Sequence, residues 1–312
     1  MLTKRDVILF KKQTGVGTPA VPSAASDAVL VEEPSWSFEG LRMIDNPAIR
    51  SSIGSMQRIF GGTLKAVSFT LQMKGSGTAG TAPEFGPILE CAGLSETIVA
   101  STSVTYKNAS DATTHEVGTM YYYQDGMLHQ MTDCRVMAFA ITAPTGEYAK
   151  LAVTVVGHDA GHSDVSLVSP TLDSTKPQPF IGATFQAHTY AATISSLSMD
   201  LGLQVAMQPD ANASDGYGEI VITGRDVTGS FDPSAVLKAT HDFIGKFKSG
   251  ATGTIQTGSI GATAGNIWAL TLNESYYTNV TPGDREGIRT FDIPFACTDE
   301  TTTDNEMELV FT

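Results

Sequence analysis

The sequence predicts a mainly β protein, built as two tandem β-sandwich or barrel domains that each carry one flanking α-helix. Three observations lead there. Only 17% of the 312 residues are charged, and Thr, Ser and Gly are the commonest of the non-apolar types, which suits strands and turns better than a helical bundle. A strand pattern passing into a capped amphipathic helix occurs twice, within residues 67–93 and 216–250. Near the midpoint of the chain, residues 157–179 are polar, rich in Ser, Pro and Asp and without an apolar period, and beyond them the order of elements restarts.

Taken in order, residues 1–30 read as an extended N-terminal arm, since two Lys-containing clusters flank only one short apolar run, Val7 to Phe10. A first domain then spans 31–158, a linker 159–180 and a second domain 181–312. Val31 to Met43 is strand-like, with Trp36, Phe38, Leu41 and Met43 as apolar anchors. The loop from Asp45 to Gly62 is long, and Arg50, Met56, Arg58 and Phe60 are sticky residues for a solvated loop. Loops of this length without structure of their own are usually functional, binding or disordered. A contact with another subunit is the expectation, and a solvated loop is the alternative.

Val67 to Met73 alternates as a strand, and Thr81 to Gly93 follows as a helix with a capping-box spacing from Thr81 to Glu84. Phe85, Ile88, Leu89 and Ala92 make its apolar stripe, while Pro87 argues against a long helix because it lacks a donor. A meander follows through Thr97 to Tyr106, Met120 to Gln124, Gly126 to Ile141 and Tyr148 to Gly157. Asp125-Gly126 is a tight hairpin signal and Pro144-Thr145-Gly146 a second turn. In the second half, Ala192 to Ala206 reads as a strand pair and Ile220 to Arg225 as a strand leading straight into a helix. Asp232 is placed to cap that helix, Pro233 to open it and Gly250 to stop it. Val236, Leu237, Thr240, Phe243, Ile244 and Phe247 form its stripe, and Lys246 and Lys248 sit at its cation-favouring end. Strands at Thr252 to Ser259, Trp268 to Tyr277 and Gly287 to Ala296 complete the half.

Charge excludes one large class of function. With 33 acidic and 19 basic residues the chain carries a net −14, a field that repels phosphate and opposes gripping nucleic acid by its backbone. Cys91, Cys134 and Cys297 lack paired spacing and have apolar neighbours, as free buried thiols in a reducing cell do. No stretch approaches the roughly 20 apolar residues of a membrane span.

A catalytic or metal reading fails on spacing. His158 and His162, with Asp159 and Asp164, have ligand spacing only on a helix, which Gly157 and Gly161 oppose. Gly15-Val16-Gly17 lacks the further glycines and following helix of a phosphate cradle. Asp210, Asp215 and Glu219 do not follow the alternate-residue order of a calcium loop. No catalytic, cofactor-binding or metal residue is therefore assigned. Arg225 stands out as a basic residue on a strand, either paired with a nearby carboxylate or reaching a neighbouring subunit.

The runs SLSMDLG at 196–202 and IVITGRDVTGSFDP at 220–233 resemble the tail tube proteins of long-tailed (siphovirus-like) bacteriophages. GSGTAGTAPEFGPILECAGL at 75–94 is similar to the strand-to-helix passage of that family, and YYQDGMLHQMTDCRVMAF at 122–139 to its hairpin. The resemblance spans nearly the whole chain. It implies a non-enzymatic structural protein whose two tail-tube domains help build stacked rings, the hollow conduit through which DNA is ejected. Rings of single-domain relatives hold six copies, so two domains per chain imply a trimeric, pseudo-hexameric ring, with a hexamer as the alternative.

The same resemblance implies no cofactor, a place in the virion tail after synthesis in the host cytoplasm, and no membrane. Its partners would be further copies of itself and the tail terminator, tape measure and distal tail proteins. Phage DNA would pass through the lumen without specific binding. Arg50, Met56, Arg58 and Phe60, in the loop expected to join successive rings together with the terminal arm, become candidates for contact between rings, and Arg225 for contact between subunits. The runner-up is the inner tube of a contractile tail or secretion machine. A carbohydrate-binding β-sandwich is the competing class, although Trp36 and Trp268 suit a core or interface better than a sugar platform.

Overall fold

The computed structural model describes residues 4–312. The first half contains β1 (Asp6–Lys12), β2 (Ala28–Val29), β3 (Val31–Glu39), β4 (Met43–Ile44), β5 (Ile59–Phe60) and β6 (Leu64–Gln72). Helix α1 (Gly86–Glu90) precedes β7 (Leu94–Val99), β8 (Ser103–Asn108), β9 (Gly118–Gln124), β10 (Met127–Pro144) and β11 (Lys150–Asp164). The second half contains β12 (Gln186–Ala187), β13 (Ser196–Asp200), β14 (Gln204–Pro209), β15 (Tyr217–Gly224), β16 (Thr228–Phe231) and α2 (Phe243–Ser249). It ends with β17 (Gly253–Gln256), β18 (Trp268–Tyr277), β19 (Thr281–Arg285), β20 (Ile288–Cys297) and β21 (Met307–Phe311). The protein is mainly β, in antiparallel sheets.

The halves repeat one strand order. Hydrogen-bonded neighbours in the first run β1–β9–β10–β11–β6–β3, and in the second β12–β17–β18–β20–β16–β13. Each half also inserts a hairpin between its two equivalent strands: β4–β5 between β3 and β6, and β14–β15 between β13 and β16. The helix follows the second of those strands in both cases.

The halves are joined by sheet, not merely tethered. The last five residues of β10 pair with β13, from Ala140 opposite Asp200 to Pro144 opposite Ser196. β21 pairs with β8, from Phe311 opposite Val104 to Glu308 opposite Lys107. Buried residues from both halves form one contiguous cluster reaching from Ile8 and Phe69 to Phe231 and Leu309. Burial of that apolar area is what drives the halves together.

Several sequence expectations need correction. The N-terminal arm of residues 1–30 contains β1, a fully paired strand whose Ile8, Leu9 and Phe10 are buried; residues 1–3 lie outside the described residues. Four apolar residues suffice because β9 supplies a complete partner. The proposed linker of 159–180 is a strand as far as Asp164, since β10 extends beyond the main sheet and pairs with it through Met127 opposite Asp164. Register shifts within β10 let this long strand bend from one sheet into the next. Thr97 to Tyr106 is two strands turning at Ser101, which adopts φ 56°.

Both helices are shorter than their patterns. α1 starts at Gly86, where Pro87 falls in the first turn and costs no hydrogen bond. Glu84 is absent from any capping box, because it accepts from the Leu30 N–H and pairs with Lys74. α2 starts at Phe243, capped by Asp242, whose Oδ1 accepts from the Gly245 N–H at 2.8 Å. Asp232 is occupied elsewhere: its carboxylate accepts from the Ser195 and Ser196 N–H groups, the Ser195 hydroxyl and Arg285. Leu237 consequently lies exposed before the helix. The strand that leads into α2 is β16, not the Ile220 to Arg225 segment, which belongs to the β14–β15 hairpin.

Candidate functional site

Among the described residues no group of three or more His, Cys, Asp or Glu is arranged to hold a metal ion. His158 and His162 lie on β11; His158 Nδ1 is 2.6 Å from Asp215, and the His162 ring faces that of His129. Asp210 accepts from Asn212, while Glu219 pairs with Arg135 at 3.1 Å, so these carboxylates serve separate local partners. Trp268 is buried against Phe180, and Trp36 packs at a tilt against His129 and donates to Gln124. What the molecule offers instead is surface.

The most conspicuous surface is the β4–β5 arm. Met43 faces Phe60 and Ile44 faces Ile59 in its short ladder, and residues 45–58 form the loop beyond. Ile49 and Ile53 are fully exposed, and Met43, Ile44, Ile59 and Phe60 are all about half exposed or more. Exposed apolar residues at this density form a surface patch of the kind a contact would cover. Of the residues singled out in this loop, Arg58 pairs with Asp45 at 2.7 Å and Arg50 donates to the Gly54 and Ser55 carbonyls, while Phe60 sits at the base and Met56 is partly covered. Both arginines thus shape the loop as well as charging it.

The second hairpin holds the base of the first. Tyr217 donates its hydroxyl to the Gly40 carbonyl, and the Arg42 guanidinium lies 4.1 Å from the Tyr217 ring centre while donating to the Gly216 carbonyl. Gly62, at φ 110°, passes so near that a Cβ would sit 2.1 Å from the Asp215 carbonyl oxygen. Tyr217 and Ile220 also share an apolar cluster with Leu64 and Val156. The two hairpins at equivalent places in the strand order thus differ, one standing exposed as an arm and the other buttressing its base. Only the lone aromatic Tyr217 beside Gly216 signalled this in the sequence, and nothing local named Gly40 as its partner.

Arg225 sits where three segments meet. Its Nε is 2.8 Å from Glu306 and an amino group is 2.7 Å from Asp304, and it donates to the Ala109 carbonyl. Burial alone would push the Asp304 and Glu306 carboxyls up, but hydrogen bonds from Ser110, Asn108 and Arg225 hold both below the ordinary carboxylate range. The guanidinium is thus engaged within its own chain.

Sheet edges are the other surface. β3 pairs with β6 on one side, β19 pairs with β20 on one side, and among the described residues neither has a strand on the other. β19 continues the line of β18 along β20, as the end of β10 continues along β11. Hence β19 is the counterpart of the β10 segment that pairs with β13, and β3 is the counterpart of β13 itself. The sheet face away from the core carries small hydroxyl side chains, with Ser68 and Thr154 2.9 Å apart and Ser198 and Ser230 likewise 2.9 Å apart.

Sequence reasoning missed two buried lysines. Lys65 is 1% exposed and meets Asp159 at 2.6 Å; Lys74, equally buried, meets Glu84 at 3.2 Å and Asp173 at 3.4 Å. Lys65 ties β6, and Lys74 the segment just after it, to residues further along the chain. A lysine at either end of the apolar run LKAVSFTLQMK was the available signal.

Comparison with known proteins agrees with this construction. No curated protein matches the chain. A family model described as phage tail tube protein matches residues 3–298, nearly all of it. With a duplicated antiparallel framework and an apolar arm, and with its sequence matched over that span, the chain belongs to the phage tail tube protein family.

Proposed function

We propose that three copies of this structural tail protein close into a pseudo-hexameric ring, and that stacked rings form the conduit through which DNA leaves the virion. The junction of β10 with β13 carries the reading. It is an antiparallel seam between two copies of one strand order, and it leaves the equivalent edges, β19 and β3, open at the two ends of the molecule. Joining β19 of one chain to β3 of the next repeats the internal seam and pairs both of these open edges. Such a head-to-tail contact closes into a ring when the rotation fits. Each half acts as one tail-tube domain in this scheme, so three chains supply six.

The hydroxyl-lined sheet face turns towards the lumen. Asp200 and Asp292 are its exposed charges, and Lys150, which could hold phosphate, is paired with Glu32 at 2.9 Å. DNA passing such a wall meets few fixed cations. Arg225 serves assembly indirectly, by holding the base of β15 against the β8–β9 and β20–β21 connections. The β4–β5 arm reaches the adjacent ring.

Electron microscopy of the purified protein tests the whole. The expected result is rings of three times the 32.9 kDa chain mass, with threefold-modulated sixfold symmetry, stacked into tubes. A monomer at high concentration, or a ring of six chains, overturns the trimer. Deleting Ser51 to Phe60 is expected to leave rings and abolish long tubes; tubes of normal length from that variant would refute the role of the arm.

A further inference from the structure

The arm is exposed at one end of the sheet, and the opposite end of the same sheet holds a groove. The arm leaves the sheet after Glu39 and returns at Leu64, whereas the turn between β10 and β11 lies beside Gln72, which pairs with Lys150. The nine residues of β6 separate those ends by about 30 Å at strand rise. At the far end, Tyr148 forms a bridge with Pro179, and the Phe180 N–H donates to the Glu147 carbonyl at 2.7 Å. Between the turn and this segment lies a groove of about 330 Å³ lined by Gly146, Glu147, Tyr148, Lys150, Pro177 and Pro179.

We propose that the tip of the arm in one ring seats in this groove on a second copy of the chain in the next ring. The proposal rests on the ring reading above and adds the receptor. Shape and charge both favour it. Ile49 and Ile53 are fully exposed apolar side chains on the arm, and the groove offers prolines and a tyrosine ring beside exposed Ile181. Arg50 on the arm and Glu147 on the rim are both exposed and opposite in charge, so the pairing sets the register as well as the affinity. Arm and groove lie at opposite ends, so the contact is head-to-tail along the tube axis and extends without closing. The buttress hairpin makes no second arm, because its tip is tied down through Tyr217 and Asp215. Each ring therefore presents three arms to three grooves.

Paired cysteines give the test. In I53C/P179C, with Cys297 replaced by Ser, mild oxidation of assembled tubes is expected to yield a disulfide ladder of dimers, trimers and longer chains on denaturing gels. Each single-cysteine variant should yield at most dimers. Two charge reversals provide an independent reading: R50E and E147R should each shorten tubes at least tenfold in mean length, and R50E/E147R should restore them. A ladder together with that rescue supports the receptor. Tubes of normal length from both single reversals, with no ladder from the cysteine pair, overturn it while leaving the ring intact. Wild-type protein that never forms rings overturns the ring reading and this one with it.

Discussion

Single side chains decide much of how the two halves hold together. Asp232 shows it best, since one carboxylate accepts from two backbone N–H groups, a hydroxyl and a guanidinium drawn from separate segments. Burial would raise its pKa, but those donors prevail and hold the carboxyl below its ordinary range. Replacing it by Ala leaves the donors unpaired and should cost about 2–3 kcal/mol, read as a lower denaturant midpoint at unchanged slope. Asp232, Asp304 and Glu306 all have folded pKa values below their unfolded ones. Their stabilisation is therefore complete above the ordinary carboxylate range and disappears as pH falls through the lowered values. Thermal scans from pH 7 towards pH 3 should show a loss of stability below about pH 4. Arg225→Met should lower stability at pH 7 and flatten that acid limb.

At the scale of elements, the informative comparison is between the two hairpins. The β14–β15 hairpin lies close against the base of the arm, and the approach at Gly62 leaves no room for a side chain. Gly62→Ala should cost about 1–3 kcal/mol from its positive φ, with added damage from the clash against Asp215. Hydrogen exchange should then rise in the β4–β5 ladder before it rises in β6. Tyr217→Phe is a milder version, losing the donor to Gly40 but keeping the ring beneath Arg42. Helix α2 gives a separate check on its boundary. Asp242→Ala should remove about 1 kcal/mol of capping.

At the scale of the molecule, seventeen strands among the described residues share one hydrogen-bonded network and both halves one core, so the halves should unfold together. A single calorimetric transition for the unassembled chain is the expected outcome, and two separable transitions would contradict it. The unpaired edges explain why such a molecule assembles at all. Pro34 on β3 and Pro282 on β19 discourage indiscriminate pairing, yet Pro144 shows that a proline is tolerated in the internal seam.

The sequence by itself determined the features that depend on neighbours along the chain. Trp268 to Tyr277 reads as a strand and is one, Asp125-Gly126 turns with both residues at positive φ, and Gly250 ends α2 in the left-handed region after two lysines. These follow from steric limits and periodicity within a few residues. A repetition of strand, loop, strand and helix was legible for the same reason, but the hairpin in each loop was not, and the strand before α2 is β16, not Ile220 to Arg225. The tertiary structure alone decided which acceptor Asp232 would become, that Val7 to Phe10 lies inside the sheet, and which hairpin projects. Those outcomes turn on partners roughly 35 to 175 residues away in the chain, such as Ser196 for Asp232, β9 for β1 and Gly40 for Tyr217. A carboxylate, a short apolar run or a hairpin looks the same locally whichever distant group it meets, and only the packed molecule makes the choice.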